Sequence, residues 1–347
     1  MPELFVTNFN RNFTGVSATA ATVLRHQTGA YDLRLVGHPL PGAPDPITLR
    51  EARALCRQAP NGRPFAIWHV RRNTEMRAAL WMRDVLRLPI WIVFTSAAQR
   101  RHSLLPRWLI SRMNAVVATT EAAASYVPHV RAVVPHGVDT DRFSPADDRA
   151  AAWRALGFGG TMGLATIGRV RPEKGTDVFV DAMLDALPDL PGAVALVIGR
   201  AAKEHHKFDL IQKEKVQRAG LIDRVRFVGE YPPDALPELM RGLSLVLQLP
   251  RYEGYGMVPL EGMASGVPFV GSEAGYYEAF SAQGKAGCVV RKDAAVLAAD
   301  AARDILLDPA RHAGMSKAAR EIAVSGFSAQ READGIAAVY DALWSDG

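Results

Sequence analysis

The chain has 347 residues, of which 48% are apolar and 22% charged, and its net charge is +5 at pH 7. This length exceeds what one hydrophobic core usually covers, so we expect two domains of ordinary globular composition. The two cysteines, Cys56 and Cys288, lie far apart, which excludes a disulfide framework or cysteine metal site and favours a reducing compartment. The first residues lack a signal-peptide pattern, and no apolar run is long enough to span a bilayer. We therefore expect a protein that is soluble or lies on a membrane surface.

Short apolar runs alternate with amphipathic segments through the first part of the chain. The predicted strands there are Leu4–Thr7, Tyr31–Val36, Phe65–Trp68, Ile90–Phe94, Ala115–Ala118 and Val130–Val134. The predicted helices are Ser17–His26, Thr48–Arg57, Asn73–Leu86 and Arg107–Met113, and a loop over Asn8–Thr14 leads into Gly15. Such alternation predicts right-handed βαβ crossovers and a parallel sheet.

A polar, turn-rich segment over residues 135–145, PHGVDTDRFSP, interrupts the alternation, and we place the domain boundary after residue 145. The alternation then resumes. The predicted strands of this part are Met162–Thr166, Ala193–Ile198, Val225–Val228, Leu243–Leu249 and Val267–Val270. Its predicted helices are Thr176–Leu187, Phe208–Ala219, Asp234–Met240, Ala294–Leu307 and Arg311–Val324. We thus expect domains over 1–145 and 146–326, and a final helix over 327–347 that crosses back to the first domain.

Positive charge is concentrated in one part of the predicted first domain. Between residues 63 and 112 there are ten arginines (63, 71, 72, 77, 83, 87, 100, 101, 107 and 112) against the two acids Glu75 and Asp84. Trp81, Trp91 and Trp108 lie among them. A basic face that carries tryptophan suits an anionic membrane surface or an anionic acceptor. Solvated helix faces rich in arginine are the simpler alternative, and no nucleic-acid motif accompanies the charge.

The segment GRVRPEKG, residues 168–175, follows the first predicted strand of the second domain. Gly168 permits a tight turn, and Arg169 and Lys174 bring two cations to the end of that strand. The helix that starts after Gly175 adds its positive end. Such a group suits a diphosphate, because arginine can bind two oxygens at once and lysine supplies a compact charge. Taken alone, it could equally be a surface loop with two solvated cations.

The segment EGYGMVPLE, residues 253–261, follows the predicted strand Leu243–Leu249. Gly254 and Gly256 precede a short helix with Pro259 in its first turn, where a missing N–H costs nothing. Glu253 lies in the loop and Glu261 on the helix. This strand-to-helix corner presents bare backbone amides that suit an anion or the hydroxyls of a sugar. An ordinary βα connection with two glycines for steric reasons is the alternative.

The pairing of GRVRPEKG with EGYGMVPLE resembles the GT-B retaining glycosyltransferases of family 4. The resemblance covers nearly the whole chain: the loop before Gly15, PHGVDTDRF at the domain boundary, both motifs and the closing helix. It implies an α/β, GT-B fold in which two doubly wound, Rossmann-like domains face each other across a cleft. The first domain would bind the acceptor and the second the nucleotide sugar.

The same resemblance implies a role for each matching position. Arg169 and Lys174 would hold the diphosphate of the donor, Glu253 would face the donor sugar, and Glu261 would bind the ribose hydroxyls. Further donor contacts would come from the backbone of Tyr255, Gly256, Met257 and Val228 and from the close approach of Gly15. Such enzymes need no metal and no other cofactor, because cations and amides offset the charge of the leaving group.

Catalysis with retention is the outcome that the resemblance implies. Glu253, Arg169 and Lys174 are its expected catalytic residues. Many relatives carry a histidine at the end of the fourth strand, where this chain reads VFTSA over residues 93–97. Thr95, Ser96 or, from the preceding strand, His69 are the candidates to replace it. Arg71 and Arg72, with Thr95 and Ser96, are the expected acceptor-binding residues.

The segments IWHVRRNTEM, RLPIWIVFTSAAQRRHS and PRWLISRMNAVVATTEAAASYV are similar to lipopolysaccharide-core mannosyltransferases of Gram-negative bacteria. This implies GDP-mannose as donor, a Kdo-bearing lipid A precursor as anionic glycolipid acceptor, and a cytoplasmic protein peripheral to the inner membrane, with no nucleic-acid partner. The oligomeric state stays open.

Three alternatives also stay open. One is a family 4 enzyme with a UDP- or ADP-linked sugar and another acceptor. A second is a nucleotide-sugar epimerase on the same fold, against which GRVRPEKG counts. The third is a non-catalytic binder of anionic lipid, which leaves Glu253, Arg169 and Lys174 unexplained.

Overall fold

A computed structural model of the chain describes residues 1–12 and 14–346. Phe13, in the loop predicted over Asn8–Thr14, and Gly347 lie outside the described residues. The chain divides into two compact units, one formed by residues 1–137 with the chain from Phe327 onward, the other by Val138–Gly326. Within the described residues, no helix is both long enough and apolar enough to cross a membrane.

The first unit is built on a parallel sheet with the strand order β2-β1-β3-β4-β5-β6. Its strands are β1 (Leu4–Asn8), β2 (Leu33–Gly37), β3 (Ala66–Val70), β4 (Ile90–Ser96), β5 (Ala115–Ala118) and β6 (Val130–Val133). Its helices up to the boundary are α1 (Gly15–Gln27), α2 (Leu49–Leu55), α3 (Asn73–Leu80), α4 (Leu104–Ser111) and α5 (Glu121–Ala124). A π-helical turn over Trp81–Val85 continues α3.

The second unit is built on a parallel sheet with the order β12-β11-β10-β7-β8-β9. Its strands are β7 (Met162–Ile167), β8 (Ala193–Ile198), β9 (Val225–Gly229), β10 (Leu243–Gln248), β11 (Phe269–Ser272) and β12 (Gly287–Val290). Its helices are α6 (Arg149–Ala155), α7 (Thr176–Ala186), α8 (His206–Arg218), α9 (Leu236–Gly242), α10 (Met257–Ala264), α11 (Tyr277–Ser281), α12 (Ala295–Leu306) and α13 (Pro309–Gly326). A short 3-10 turn, Pro172–Lys174, lies between β7 and α7.

Each face of the first sheet carries its own hydrophobic core. All five residues of β3 are buried, as expected for a parallel strand covered on both faces. The last helix, α14 (Ala329–Asp346), packs against α1 and β6 and covers one of these faces. Its Tyr340 and Trp344 are buried there, and the Trp344 indole N–H donates to the carbonyl of Phe65 at 3.0 Å. The end of the chain is thus a part of the first unit.

The structure differs from the sequence prediction at the domain boundary. We predicted it after residue 145, but residues 138–145 belong to the second unit. There, the Arg320 guanidinium donates to the carbonyls of Thr140 and Phe143. Arg142 pairs with Asp234 at 3.0 Å. These long-range bonds decide the membership of the segment, and none of them can be read from its own composition.

Candidate functional site

The two motifs meet at the point where the strand order of the second sheet reverses. From β7 the chain adds β8 and β9 on one side of the sheet, and β10, β11 and β12 lie on the other. β7 and β10 are therefore neighbours in the middle, paired in parallel. Parallel neighbours end at the same edge, so the loop after β7 lies beside the loop after β10. In open α/β sheets this reversal point is where ligands bind.

Lys174 and Glu253 form an ion pair at this edge. The Lys174 ammonium donates to the Glu253 carboxylate with Nζ and Oε2 2.6 Å apart, and both side chains are largely buried. The other carboxylate oxygen accepts the backbone N–H of Gly254 at 3.0 Å. Arg169, five residues before the lysine, is exposed at the same strand end. One carboxylate and two cations therefore share a single strand-end region, as both motifs together predict.

Arg251 joins the two loops, a role that we did not predict from the sequence. Its guanidinium makes a two-pronged bond to the carboxylate of Asp177, at 2.9 and 2.8 Å, and donates to the carbonyl of Pro172. It also pairs with Asp293 at 2.7 Å, and its own backbone N–H donates to the carbonyl of Glu173 at 3.0 Å. An arginine two residues before the motif glutamate, with an aspartate in the first turn of α7, is the signal that could have indicated this contact.

Gly256 is the residue before α10, and its backbone requires glycine. Its φ is +99°, in the left-handed region, and a Cβ there would overlap the ring of Tyr277. The next residue, Met257, starts α10, so its N–H is one of the helix amides without an intrahelical partner. The Tyr255 ring is only 4% exposed and stacks on Tyr276, with centroids 5.5 Å apart. The ring of Tyr255 therefore packs inside this corner, and its carbonyl accepts the N–H of Tyr276 at 2.8 Å.

Glu261 lies on α10 with part of its surface exposed. Burial raises the pKa of its carboxyl to about 7, although the positive charge of Arg142 opposes that shift. The side chain therefore changes its charge within the physiological pH range. Val228, the predicted contact of the base, is partly exposed on β9 at the edge of the sheet.

Gly15 is the first residue of α1 in the other unit. It is exposed, and a Cβ there would meet no atom of the described residues within 4 Å. The protein's own packing thus gives no steric reason for glycine at this position.

Arg72 holds the loop before α1, which corrects its predicted contact with the acceptor. Its guanidinium donates to Asn8, Thr14 and Ser17, at 3.1, 3.1 and 2.9 Å, and pairs with Glu75 at 3.0 Å. The Glu75 carboxylate is fully buried and accepts three backbone N–H groups, those of Phe9, Arg71 and Arg72. With these partners the Arg72 side chain is a structural clamp.

His69 does not match the catalytic role considered for it. Its side chain is fully buried, one ring nitrogen bonds to the Tyr340 hydroxyl, and the other lies 2.6 Å from the hydroxyl of Thr95. Burial, followed by the charge of Arg71, lowers its pKa well below the usual value. A neutral imidazole with both nitrogens engaged fixes α14 to β3 and β4. The Thr95 hydroxyl is occupied by the same bond.

Ser96 and Arg71 complete the predicted acceptor residues. Ser96 is 1% exposed at the end of β4, and Arg71 is largely buried just after β3. In both residues a buried polar atom has no hydrogen-bond partner within the described chain. Among residues 1–12 and 14–346, no group of three or more His, Cys, Asp or Glu side chains is placed to hold a metal ion.

The sequence profile of the family described as "Glycosyl transferases group 1" matches residues 159–322, which contain both motifs. A lipopolysaccharide core biosynthesis mannosyltransferase of Rhizobium meliloti, LpsB, is 38% identical over 345 residues, covering 98% of this chain and 97% of that protein. The chain belongs to the group 1 glycosyltransferases. The corresponding mannosyltransferase of Rhizobium leguminosarum bv. viciae, LpcC, is 36% identical over 345 residues, with 99% and 97% coverage. As a group 1 glycosyltransferase, the chain is an enzyme.

Solved structures of glycosyltransferases share the fold. Anabaena Alr3699/HepE, in a complex with UDP and glucose, superposes with a TM-score of 0.82 at 15% identity, over 99% of this chain and 100% of that one. The C-terminal domain of a group 1 protein, LpcC, from Francisella tularensis matches with a TM-score of 0.54 at 27% identity, over 55% of this chain and 99% of that one. The GT-B fold and the family predicted from the two motifs are confirmed.

Proposed function

We propose that this glycosyltransferase moves mannose from GDP-mannose to an anionic glycolipid, a Kdo-bearing precursor of the lipopolysaccharide core, with retention of configuration. The observation that carries the proposal is the Lys174–Glu253 pair at the reversal point of the second sheet, with Arg169 beside it. Two cations suit a diphosphate, and a carboxylate beside them suits a sugar that develops positive charge.

In this proposal the diphosphate of the donor binds to Arg169, Lys174 and the free amides at the start of α10. Lys174 exchanges Glu253 for a phosphate oxygen, and the released carboxylate faces the mannose. Glu261 accepts hydrogen bonds from the ribose hydroxyls, and the backbone of Val228 contacts the base. Gly15 of the first unit leaves room for the diphosphate.

The chemical step requires no metal ion in this proposal. The acceptor hydroxyl attacks the anomeric carbon on the face from which the diphosphate leaves, and a phosphate oxygen accepts its proton. The bond from the anomeric carbon to the phosphate oxygen breaks as the new glycosidic bond forms. Glu253 stabilises the oxocarbenium-like sugar, and Arg169 and Lys174 stabilise the departing diphosphate.

The choice of mannose and of a lipopolysaccharide-core acceptor is supported by LpsB and LpcC, two lipopolysaccharide core mannosyltransferases that align with this chain over nearly its full length. The first unit supports an anionic, membrane-bound acceptor. On α4, Leu104, Leu105 and Trp108 are 82%, 55% and 58% exposed. The exposed Arg101, Arg107 and Arg112 lie close to them in the sequence, and Arg112 also pairs with Asp84 at 3.6 Å. We call these three apolar residues and three arginines the α4 surface.

Exposed leucine and tryptophan among arginines are typical of a surface that lies on an anionic membrane. A groove of about 430 Å³ between α4 and Tyr126 continues this surface. We therefore propose a peripheral location on the cytoplasmic face of the inner membrane. Arg72 and Arg83, which the sequence suggested for the same contact, are bonded to neighbouring side chains instead.

A panel of GDP-, UDP- and ADP-sugars, scored by thermal stabilisation, tests the donor. We expect selective stabilisation by GDP-mannose, worth about 2.7 kcal/mol at 100-fold excess over Kd. The Lys174→Met variant should lose this shift. Lys317→Met, which removes an exposed lysine of α13, should retain it. Stabilisation by a UDP- or ADP-sugar alone would contradict the donor assignment, and no stabilisation by any of them would contradict the proposed site.

A further inference from the structure

Three buried polar groups without hydrogen-bond partners lie at the carboxyl ends of three neighbouring strands of the first sheet. They are Nη1 of Arg71, the hydroxyl of Ser96 and the hydroxyl of Thr119, none of which is bonded within the described residues. Ser96 is 1% exposed and Thr119 is fully buried. A buried polar group without a partner is costly, and most such groups in folded proteins are paired. Three in one place therefore require an explanation.

The strand pairing brings these residues together. Arg71 directly follows β3, Ser96 ends β4 and Thr119 directly follows β5, and these three strands are neighbours in the sheet. Val70 pairs with Phe94 and Ser96 with Ala118, while the Thr119 N–H donates to the carbonyl of Ser96 at 2.9 Å. By this register Thr119 lies two strands across from Arg71 and two residues further along. With strands about 4.8 Å apart and a rise of about 3.3 Å per residue, their Cα atoms are roughly 12 Å apart, which an extended arginine and a ligand between the two side chains can span.

Arg71 and Thr119 also lie on the same face of the sheet. Side chains alternate along a strand, so Arg71 shares the face of Ile67, and Thr119 that of Val117. Ile67 and Val117 both belong to the core that α14 covers. Ser96 lies on the opposite side of the same edge, because it follows Phe94 in the other core. The unpaired guanidinium nitrogen and the Thr119 hydroxyl can therefore reach one ligand at the strand ends.

The acidic residues near Arg71 are already engaged. Burial lowers the pKa of Arg71, and the charges of Tyr340, Glu332 and Glu75 oppose that shift. Glu332, however, is bonded to His136 and to the N–H of Gly137 at 2.7 and 2.8 Å. Glu75 is bonded to Arg72 and to backbone N–H groups. The nearby negative charge favours a guanidinium here without supplying its hydrogen-bond acceptor.

Arg72, the neighbouring residue, shows that the protein can provide hydrogen-bond acceptors for a guanidinium at these strand ends. Arg72 makes four side-chain hydrogen bonds, whereas none is present for the Arg71 guanidinium within the described chain. An arginine with one buried hydroxyl on the same face of the sheet is chemically suited to an oxyanion, which arginine can bind through two parallel bonds.

We infer that Arg71 and Thr119 form a subsite for one compact oxyanion of the acceptor, a carboxylate or a phosphate. The assignment of the oxyanion to the acceptor rests on the proposed function. The oxyanion site itself does not depend on which sugar is transferred. Arg72 is then a positioning residue that holds the adjoining loop, and the two consecutive arginines have different tasks.

The first test needs no catalysis. Thermal melting of the Arg71→Met variant without ligand should give a Tm equal to or above that of the wild type, because a desolvated, unpaired cation is removed. If Arg71 instead stabilised the fold, its replacement would lower Tm, so a Tm lower by several degrees would overturn the inference. Thr119→Val, which removes the hydroxyl but keeps the shape, should likewise not lower Tm.

The second test measures binding of two soluble probes, Kdo monosaccharide for the carboxylate and inorganic phosphate for the phosphate. We expect one of them to bind the wild type, to bind Arg71→Met at least tenfold more weakly and to bind Arg71→Lys with intermediate strength. Arg77→Met, which removes an exposed arginine of α3, is the matched control and should bind like the wild type. Equal binding by Arg71→Met, or no binding of either probe to the wild type, would refute the subsite.

Kinetics separate this inference from the proposed function. In Arg71→Met and Thr119→Val, the KM for the glycolipid should rise about tenfold or more while the KM for the nucleotide sugar stays unchanged. A rise in the donor KM alone would assign the oxyanion to the donor and overturn the acceptor subsite. If the wild type transfers no mannose but the variants lose probe binding, the proposed function fails and the oxyanion site stands.

Discussion

Lys174 and Glu253 neutralise each other. Their ion pair, with Nζ and Oε2 2.6 Å apart, is partly shielded from water, so leaving either group without a partner would carry a desolvation cost. A diphosphate offers the lysine a second anion, and a sugar offers the carboxylate several hydroxyl donors. Donor binding can thus exchange one pairing for two without leaving either charge unpaired. This arrangement suits a site that must stay folded when empty.

The carboxyl of Glu261 gives a pH dependence with a defined sign. Its pKa is raised from 4.5 to about 7, so the group is largely protonated at pH 6 and ionised at pH 8. In the proposed site, the ionised carboxylate is the form that accepts hydrogen bonds from the ribose hydroxyls. We expect the Kd for the nucleotide sugar to rise about tenfold from pH 8 to pH 6, in a calorimetric titration at each pH. The diphosphate of a nucleotide sugar is a diester and does not titrate in this range.

Glu261→Gln is the control for this pH dependence, and it should abolish the change in Kd between pH 6 and 8. The raised pKa also means that the glutamate stabilises the fold less as pH rises from about 4.5 to about 7. The Tm of Glu261→Gln relative to the wild type should therefore increase over that window. An unchanged pH profile of Kd in the variant would show that another group causes it.

Two residues of the same type can have different environments, and this limits what the sequence predicts for single residues. Arg71 and Arg72 are adjacent in IWHVRRNTEM and share a predicted role. Only the positions of Glu75, Asn8 and Ser17 distinguish them, because these side chains surround one guanidinium and not the other. His69 similarly was a candidate to replace the catalytic-site histidine of the relatives, and only the structure shows that α14 places Tyr340 against it.

At the scale of elements, Arg251 connects the loops that carry Lys174 and Glu253. Its bonds to Asp177, Asp293 and the backbone of the 3-10 turn hold three loops at one position. We expect Arg251→Met to lower kcat/KM for the donor by about tenfold or more, because hydrogen bonds to charged groups contribute about 1.5–3 kcal/mol each. Arg251→Lys should fall in between, since lysine cannot form the two-pronged bond to Asp177. Steady-state kinetics at varied donor concentration provide the measurement.

Arg303 offers a matched control for Arg251 in the same unit. It also bridges three aspartates, Asp185, Asp189 and Asp300, at 2.9, 2.8 and 2.7 Å, but it lies on α12 and joins no motif loop. Arg303→Met should lower Tm modestly and leave the donor KM unchanged. If both variants impair the donor KM equally, the effect of Arg251 reflects general stability and not loop positioning.

At the scale of the whole molecule, the α4 surface is expected to govern membrane contact. Replacing Leu104, Leu105 and Trp108 by serine should lower binding to vesicles with anionic phosphatidylglycerol by more than tenfold, because burying one such side chain contributes about 1.5–3 kcal/mol. Reversing Arg101, Arg107 and Arg112 to glutamate should also weaken binding, and raising the salt concentration should weaken binding of the wild type. Vesicle sedimentation is the measurement.

Leu210 and Ile211 on α8 are the matched control for the α4 surface. They are 54% and 43% exposed, so their replacement by serine removes two exposed apolar side chains from the second unit, against three from the α4 surface. Binding to the vesicles should then be unchanged. Equal loss in both variants, or no loss in either, would contradict a membrane role for α4 in particular.

The fold class and the family could be predicted from the sequence. Alternating strand and helix patterns and two glycine-bearing strand-to-helix corners are local features. They can be recognised without knowing which residues contact each other in the folded protein. The elements that were missed are short or weakly amphipathic: α5, α6, α11 and β12 have four to seven residues each. The boundary shifted because residues 138–145 bond to distant parts of the second unit: Arg142 of this segment donates to the carbonyl of Pro233, and Arg320 donates to the carbonyl of Thr140.

The strand-to-helix corner at Glu253–Glu261 shows most clearly what the sequence determined and what the tertiary structure determined. The sequence alone determined that a glycine-bearing turn with two carboxylates follows a buried strand, and that a basic loop follows another. The tertiary structure placed β7 beside β10, paired Lys174 with Glu253, added Arg251 as the connection and raised the pKa of Glu261 by burial. The physical reason is the distance along the chain between the residues that interact. Turn geometry and strand periodicity depend on neighbours in sequence, whereas ion pairing and desolvation depend on neighbours in space.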